Sequence, residues 1–180
     1  MNTKKIVLIA TAFLWIIIAL SLIASKQQTL TKGRKVLLET VPVDPRDFLR
    51  GDYVILNYKI SSLDLKSMPT DKSGYRGGDV VYVCLIPSGK FWTAGELACR
   101  KDKFASSGSV YIKGRVRSAY SGKLNVEYGI ESYFVPEGKG VEIERNMRGR
   151  GPTKVSVEAS IDAQGNAVIH KVYINDQEVK

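Results

Sequence analysis

The chain has 180 residues, 44% hydrophobic and 25% charged, which is ordinary for a globular protein and suits one domain with an appendage. A domain of this size buries enough apolar surface to need no disulfide or metal to hold it together. The formal net charge of +9 favours anionic surfaces such as lipid headgroups or acidic cell-wall polymers, but no nucleic-acid-binding motif accompanies it, so we expect no nucleic-acid partner.

The first predicted element is a run without charged residues at positions 6–24, preceded by Lys4 and Lys5. As an α-helix it would be about 28 Å long, close to the thickness of the hydrocarbon core of a bilayer. Two interpretations remain open, an uncleaved membrane anchor or a signal peptide with a weak cleavage site at residues 19–21. The length favours the anchor. We expect a single-pass inner-membrane protein with a cytoplasmic N-terminus and its remaining residues in the periplasm or at the cell exterior.

The elements that follow are mostly strands. Residues 26–35 are polar and predict a linker. Clusters of strand-forming residues, separated by turns rich in glycine, proline and serine, then predict strands. These cover residues 36–41, 53–60, 79–86, 91–94, 110–117, 124–130, 132–135, 154–161 and 167–174, and the last two are predicted to form a hairpin around residues 162–166. Short helices are predicted near residues 63–66 and at 140–148.

This pattern predicts a mainly β fold, either an antiparallel sandwich or a partly open barrel, after an N-terminal transmembrane helix. The chain would divide into a membrane anchor at residues 1–25, a linker at 26–35 and an extracytoplasmic β-rich domain at 36–180.

A charged loop at residues 42–52 leads into the second predicted strand. Its charges alternate in sign along Asp44, Arg46, Asp47, Arg50 and Asp52. One interpretation is a tight loop held by its own ion pairs. The other is a recognition patch, since exposed pairs contribute only about 0–1 kcal/mol each and stability alone is a weak reason for so many. In the strand itself, the even-numbered residues from 54 to 60 are predicted to face the core, and the odd-numbered residues from 53 to 59 a half-covered side.

Two sequence motifs, one at this loop and strand and one further along the chain, resemble those of a known protein family. The first is Gly51-Asp52-Tyr53-Val54-Ile55-Leu56-Asn57-Tyr58, and the second is Tyr128-Gly129-Ile130-Glu131-Ser132-Tyr133-Phe134-Val135-Pro136-Glu137-Gly138. In this order they resemble the GDYXXLXY family. The resemblance implies a bacterial, membrane-anchored protein without an established activity. It also suggests a polytopic membrane protein as a partner, because family members are often encoded beside one.

Cys84 and Cys99 are the only cysteines. Outside the cytoplasm, two cysteines suit a disulfide. A two-residue turn at Ser88 and Gly89 would place Thr93 opposite Cys84 and leave Cys99 up to ~20 Å away, whereas a bridge needs a Cα separation below about 7 Å. A disulfide would therefore require the chain to double back near Gly95, and both states remain open.

The sequence offers little for metal or nucleophilic chemistry. His170 is the only histidine, and no cysteines are paired at zinc-binding spacing. We expect His170 to pack against a strand, and we expect no metal, no cofactor and no Ser-His-Asp triad.

Two hypotheses for function follow. The first is a binding or adaptor module that contacts a membrane or envelope partner. Its contact residues would be Asp44, Arg46, Asp47, Arg50, Asp52 and Tyr53, joined by Glu131 and Glu137. The second is an envelope hydrolase that uses two of these carboxylates as acid and base. The sequence favours the first and identifies no catalytic residue.

Overall fold

The computed structural model describes residues 3–41, 53–72, 74–105, 108–134 and 154–179. Within these ranges the chain forms two α-helices, α1 (Thr3–Lys32) and α2 (Asp102–Ala105), and a 3-10 turn at Lys59–Ser61. The strands are β1 (Arg34–Glu39), β2 (Tyr53–Ile55), β3 (Ser62–Asp64), β4 (Val80–Ser88), β5 (Phe91–Ala98), β6 (Val110–Tyr120), β7 (Lys123–Glu127), β8 (Ser132–Phe134), β9 (Val155–Ile161), β10 (Ala167–Ile174) and β11 (Gln177–Glu178). Strands make up 47% of the structure, which confirms the mainly β prediction.

Nine strands form one mixed sheet in the order β11-β10-β9-β1-β5-β4-β6-β7-β3, and β2 pairs with β8 in a separate ribbon. One pair in the described sheet departs from the predicted antiparallel pattern, because β1 runs parallel to β5 where Leu38 lies opposite Trp92. The other edge of β1 is already paired antiparallel with β9 along six residues. The β9–β10 hairpin confirms its prediction, and its register shifts at His170.

The sheet curls strongly. The β9–β10 turn reaches β6, where the backbone N–H of Lys113 donates to the carbonyl of Gly165 at 2.8 Å. The Tyr111 hydroxyl donates to the carbonyl of Ala163 at 2.5 Å. Four strands separate β10 from β6 in the sheet order, which would be about 24 Å in a flat sheet. The sheet therefore closes towards itself as a partly open barrel, one of the two predicted architectures.

The concave face of the curled sheet holds the main core. Valine, leucine and isoleucine side chains from β1, β3 to β7, β9 and β10 alternate inward, as the two-residue period of a strand requires. A smaller cluster covers the outer face of β4, β5 and β6, where Phe104 of α2 packs with Cys84, Ala98 and Tyr111. The short helix α2 thus covers the outer face of the sheet at that point.

The predicted linker at residues 26–35 is wrong. Helix α1 continues to Lys32, and β1 begins at Arg34, so only Gly33 lies between them. Glutamine, leucine and lysine are good helix formers, which allows the polar residues after the apolar run to extend the helix. Inside this extension Thr29 is buried against the β-rich part of the chain.

The second predicted strand is shorter than expected. β2 ends at Ile55, and the chain turns through Lys59–Ser61 before β3. The predicted helix near residues 63–66 is wrong, because Leu63 lies inside β3 and pairs with Leu124 of β7. Leu63 is buried between two exposed neighbours, which is the two-residue period of a strand. The predicted helix at 140–148 lies outside the described residues.

Candidate functional site

The β2–β8 ribbon joins the two sequence motifs. Tyr53, Val54 and Ile55 of the first motif lie opposite Phe134, Tyr133 and Ser132 of the second. The backbone N–H of Leu56 extends this pairing by donating to the carbonyl of Glu131 at 2.8 Å. Motifs that are far apart in the chain therefore form one local structure.

Two buried tyrosines reinforce that junction. The Tyr58 hydroxyl, in the first motif, donates to the carbonyl of Ile130 in the second motif at 2.6 Å. The Tyr128 hydroxyl, in the second motif, donates to the carbonyl of Ile60, just after the first motif, at 2.5 Å. Burial, and then the nearby Glu131 carboxylate, raise the pKa of both phenols well above their usual range. Both side chains are therefore neutral donors at physiological pH.

Glu131 has a structural contact within the second motif. One of its carboxylate oxygens accepts a hydrogen bond from the backbone N–H of Tyr128 at 2.5 Å. The same residue uses its carbonyl to pair with Leu56. Glu131 thus orders the turn that leads into β8, and its half-buried side chain also reaches the groove beside it.

A polar groove of about 680 Å³ lies beside this junction, and we call it the motif groove. Its lining comes from both motifs, the Lys59–Ser61 turn, β6 and β7. The lining residues are Ile55, Asn57, Ser61, Arg117, Ser118, Asn125, Val126, Glu127, Glu131 and Ser132. Amides, hydroxyls, one guanidinium and two carboxylates therefore line the groove together with the apolar residues Ile55 and Val126. The groove can therefore donate hydrogen bonds to a polar partner and accept hydrogen bonds from it.

Ser61 lines the motif groove, but its hydroxyl is buried. Its hydroxyl oxygen is inaccessible to solvent and has no hydrogen-bond partner in the described part of the chain. A buried hydroxyl without a partner is destabilising, and in native proteins such groups usually have an explanation.

Nearby, the Arg117 guanidinium lies 3.6 Å from the Glu127 carboxylate, and both side chains are largely exposed. Such a pair adds little stability and leaves both charges accessible to a partner.

Of the predicted contact residues, the structure describes only Tyr53 and Glu131. Asp44, Arg46, Asp47, Arg50, Asp52 and Glu137 lie outside the described residues. Tyr53 begins β2 and pairs with Phe134 along the backbone, and Glu131 lines the motif groove. The sequence analysis missed Ser61, Arg117, Asn125 and Glu127. One signal was present, since the predicted half-covered strand side included Ile55 and Asn57, which both line the groove.

Cys84 and Cys99 are free thiols in the structure, so the disulfide that the sequence allowed is not formed. Cys84 belongs to the outer cluster with Phe104 and Tyr111, whereas Cys99 packs against the main core. The predicted register was also wrong. Glu96, and not Thr93, lies opposite Cys84, because Ser88 pairs with Phe91 and the register shifts after Cys84. Burial raises the pKa of both thiols.

The described residues contain no group of three or more His, Cys, Asp or Glu side chains that could hold a metal ion. His170 lies on the outer side of β10, where its Nε2 is 2.5 Å from Lys35 Nζ and 3.5 Å from Glu158 Oε1. His170 is therefore part of a polar cross-strand cluster.

Comparison with known proteins identifies a family for the chain. No curated protein and no solved structure matches it. A family model described as GDYXXLXY protein matches residues 15–172, which include the end of α1, both motifs and most of the sheet. The chain belongs to the GDYXXLXY family.

Proposed function

We propose that this chain is a single-pass membrane protein whose β-rich domain lies outside the cytoplasm and binds a membrane or envelope partner through the motif groove. The observation that carries the proposal is the groove itself, which lies where both family motifs meet and is lined by polar and charged side chains from both motifs, β6 and β7. The proposed contact surface also includes Asp52 and Glu137, which belong to the two motifs, and the residues Asp44, Arg46, Asp47 and Arg50, which precede the first motif in sequence.

The character of α1 supports the membrane placement. The helix has 30 residues, about 45 Å, and its apolar part has a mean hydropathy of 2.9 with none of it buried inside the protein. Apolar residues surround the helix on all sides from Ile6 to Ile23, so no polar face is available for water. The Thr11 hydroxyl bonds back to the carbonyl of Leu8 at 2.9 Å, which satisfies it in an apolar environment.

A continuous set of contacts connects this helix to the motif groove. Gly33 leads from α1 directly into β1, and β1 pairs with β9 along its length. Just after β1, the backbone N–H of Val41 donates to the carbonyl of Asn57 at 2.7 Å, and Thr40 forms a bridge with Tyr58. These contacts support an adaptor whose groove has a fixed position relative to the membrane.

In-cell photo-crosslinking tests this proposal. A photoreactive residue replaces exposed Asn57 in the motif groove, and a matched variant carries it at exposed Ser88 in the β4–β5 hairpin. We expect the Asn57 position to capture one defined membrane or envelope protein and the Ser88 position not to capture it. Equal capture from both positions, or no capture from Asn57 in a folded and membrane-bound chain, would reject the groove as the contact surface.

An envelope hydrolase is the second candidate, because the carboxylates of Glu127 and Glu131 both line the motif groove. Glycoside hydrolysis uses two carboxylates that flank the bond to be cleaved. Hydrolysis of cell-wall glycan fragments by the purified chain, abolished in both Glu127→Gln and Glu131→Gln, would favour this candidate over a binding module. Retained hydrolysis in both variants, or none in the unmodified chain, would reject it.

A further inference from the structure

The C-terminal end of α1 is fixed to the β-rich domain by buried polar contacts. Thr29 is only 4% exposed, and its hydroxyl donates to the Asp162 carboxylate at 3.0 Å. The Ser160 hydroxyl donates to the carbonyl of Thr29 at 2.7 Å. The backbone N–H of Gly33 reaches the same carbonyl at 3.0 Å. The last turn of the helix therefore has one defined position on the β9–β10 hairpin.

Gly33 makes this joint compact. A Cβ atom at this position would lie 2.4 Å from the carbonyl oxygen of Thr29 and 2.5 Å from Ser160 Oγ. Both distances are far below van der Waals contact, so only glycine allows the helix and β1 to approach so closely. The joint thus sets the height of the domain above the end of the apolar helix segment.

That height coincides with the lipid headgroups if α1 spans a bilayer. The apolar run ends at Ala24, and each further helical residue adds about 1.5 Å. Residues 25–29 then lie within about 8 Å of the hydrocarbon boundary, and the headgroup layer is about 5–7 Å thick on each side. The domain surface beside these residues is therefore at headgroup depth.

A cavity of about 770 Å³ opens at this depth between α1 and the β9–β10 turn. Ser25, Gln28 and Lys32 of α1 line one side with Arg34 at the start of β1, and residues 161–164 with Asn166 line the hairpin side. A second groove of about 230 Å³ also reaches Asn166, and there Lys26 of the helix lies together with Lys113 and Arg115 of β6. Basic side chains from both the helix and the sheet thus surround the joint.

The charge balance at the joint favours an anion. Asp162 and Glu127 are the acidic residues that line the two cavities. Asp162 is engaged within the protein, since its carboxylate accepts hydrogen bonds from Thr29, from the backbone N–H of Gln164 and from Asn166. By contrast, the ammonium groups of Lys26, Lys32 and Lys113 have no ion-pair or hydrogen-bond partner among the residues that the structure describes.

From this arrangement we infer that the cavity between α1 and the β9–β10 turn, together with the adjoining groove that also reaches Asn166, binds the phosphate headgroup of an anionic phospholipid, with Lys32 of the cavity and Lys26 of the groove as its principal cationic contacts. This inference rests on the proposed membrane placement of α1. The hydroxyl and amide groups of Ser25, Gln28 and Asn166 supply further donors at the same level. A bound headgroup would fix the orientation of the domain and hence the height of the motif groove above the membrane.

Native mass spectrometry of the full chain in detergent micelles tests this inference. Phosphatidylglycerol, phosphatidylcholine and inorganic phosphate are offered separately. We expect retained phosphatidylglycerol, little phosphatidylcholine, and about tenfold weaker phosphatidylglycerol retention in Lys26→Gln/Lys32→Gln. The control Lys66→Gln/Lys123→Gln removes the same charge at the β3 and β6–β7 ends of the sheet and should retain lipid as the unmodified chain does.

A second variant distinguishes lipid binding in the cavity from general attraction between charges. Gln28→Trp fills the cavity without changing charge, so it should reduce phosphatidylglycerol retention, whereas diffuse attraction would be unaffected. Equal retention in all variants, equal retention of phosphatidylcholine, or displacement of the lipid by millimolar inorganic phosphate would overturn the inference. If the chain resists alkaline extraction from membranes but shows no lipid preference, only this inference fails. If it is extracted, the proposed membrane anchoring fails as well.

Discussion

Tyr58 and Tyr128 exchange hydrogen bonds across the junction of the two motifs, each donating to a backbone carbonyl close to the other tyrosine. Their side chains are 1% and 6% exposed. Each motif thus satisfies a buried carbonyl of the other segment, and neither segment can keep its conformation without the other. This relationship explains why tyrosines stand at the last position of the first motif and the first position of the second.

Replacement of either tyrosine by phenylalanine should destabilise the domain. Tyr58→Phe and Tyr128→Phe each leave a buried carbonyl without its donor, which costs about 1–2 kcal/mol in the free energy of unfolding. Urea denaturation measures the change. Tyr120→Phe is the matched control because the Tyr120 side chain is 85% exposed, and it should be neutral. Unchanged stability in both buried variants would contradict the role of these hydrogen bonds.

The same tyrosines predict an alkaline loss of stability. Burial, with the Glu131 carboxylate as a second cause, raises the pKa of both phenols in the folded state above the ordinary value of 10.0. Because the unfolded chain releases these protons first, their contribution is complete below pH 10 and declines as the pH rises further, by about 1.4 kcal/mol per pH unit for each tyrosine. Guanidinium unfolding between pH 9 and 11 measures this slope. The Tyr58→Phe/Tyr128→Phe variant should have a flatter slope, and an identical slope would be evidence against the prediction.

The buried hydroxyl of Ser61 predicts an unusual effect on stability. Because its buried hydroxyl has no hydrogen-bond partner among the described residues, Ser61→Ala should leave the free energy of unfolding, measured by urea denaturation, unchanged or raise it slightly. The control is Ser160→Ala, which removes the hydrogen bond to Thr29 and should cost about 1 kcal/mol. A large loss of stability in Ser61→Ala would mean that the hydroxyl has a structural partner.

The two cysteines should remain reduced. They lie on different faces of the sheet, and burial raises the pKa of both thiols, so little reactive thiolate forms near neutral pH. A colorimetric thiol assay on the non-reduced chain should detect both groups after denaturation and react slowly before it. Thiols that appear only after addition of a reductant would reveal a disulfide and contradict this arrangement.

The sequence was sufficient to predict the apolar helix, the mainly β class and the β9–β10 hairpin, because each has a long and regular hydrophobic pattern. It was not sufficient to predict that α1 continues to Lys32 and that Gly33 alone connects it to β1. The polar residues after Ala24 have the composition of a linker, and only the tertiary contacts of Thr29 with Ser160 and Asp162 reveal that they continue the helix.

The candidate site was only partly predictable for a similar reason. The two motifs indicated the right region, and Glu131 was named from them. Ser61, Arg117 and Glu127 belong to segments that are distant in sequence, and the curl of the sheet and the Lys59–Ser61 turn bring them together. A single sequence carries no signal for which distant segments the curl of the sheet brings together. The local two-residue period of the strand, by contrast, did indicate the half-covered strand face that includes Asn57.

Site-specific thiol labelling tests the proposal that α1 holds the β-rich domain outside the cytoplasm. In a Cys84→Ser/Cys99→Ser background, Ser88→Cys places one reactive group in the exposed β4–β5 hairpin. A membrane-impermeant maleimide is applied to cells whose outer envelope is permeable and whose inner membrane is intact. We predict labelling of the membrane-bound chain under these conditions. Labelling that occurs only after the inner membrane is opened would place the domain in the cytoplasm and contradict the proposal.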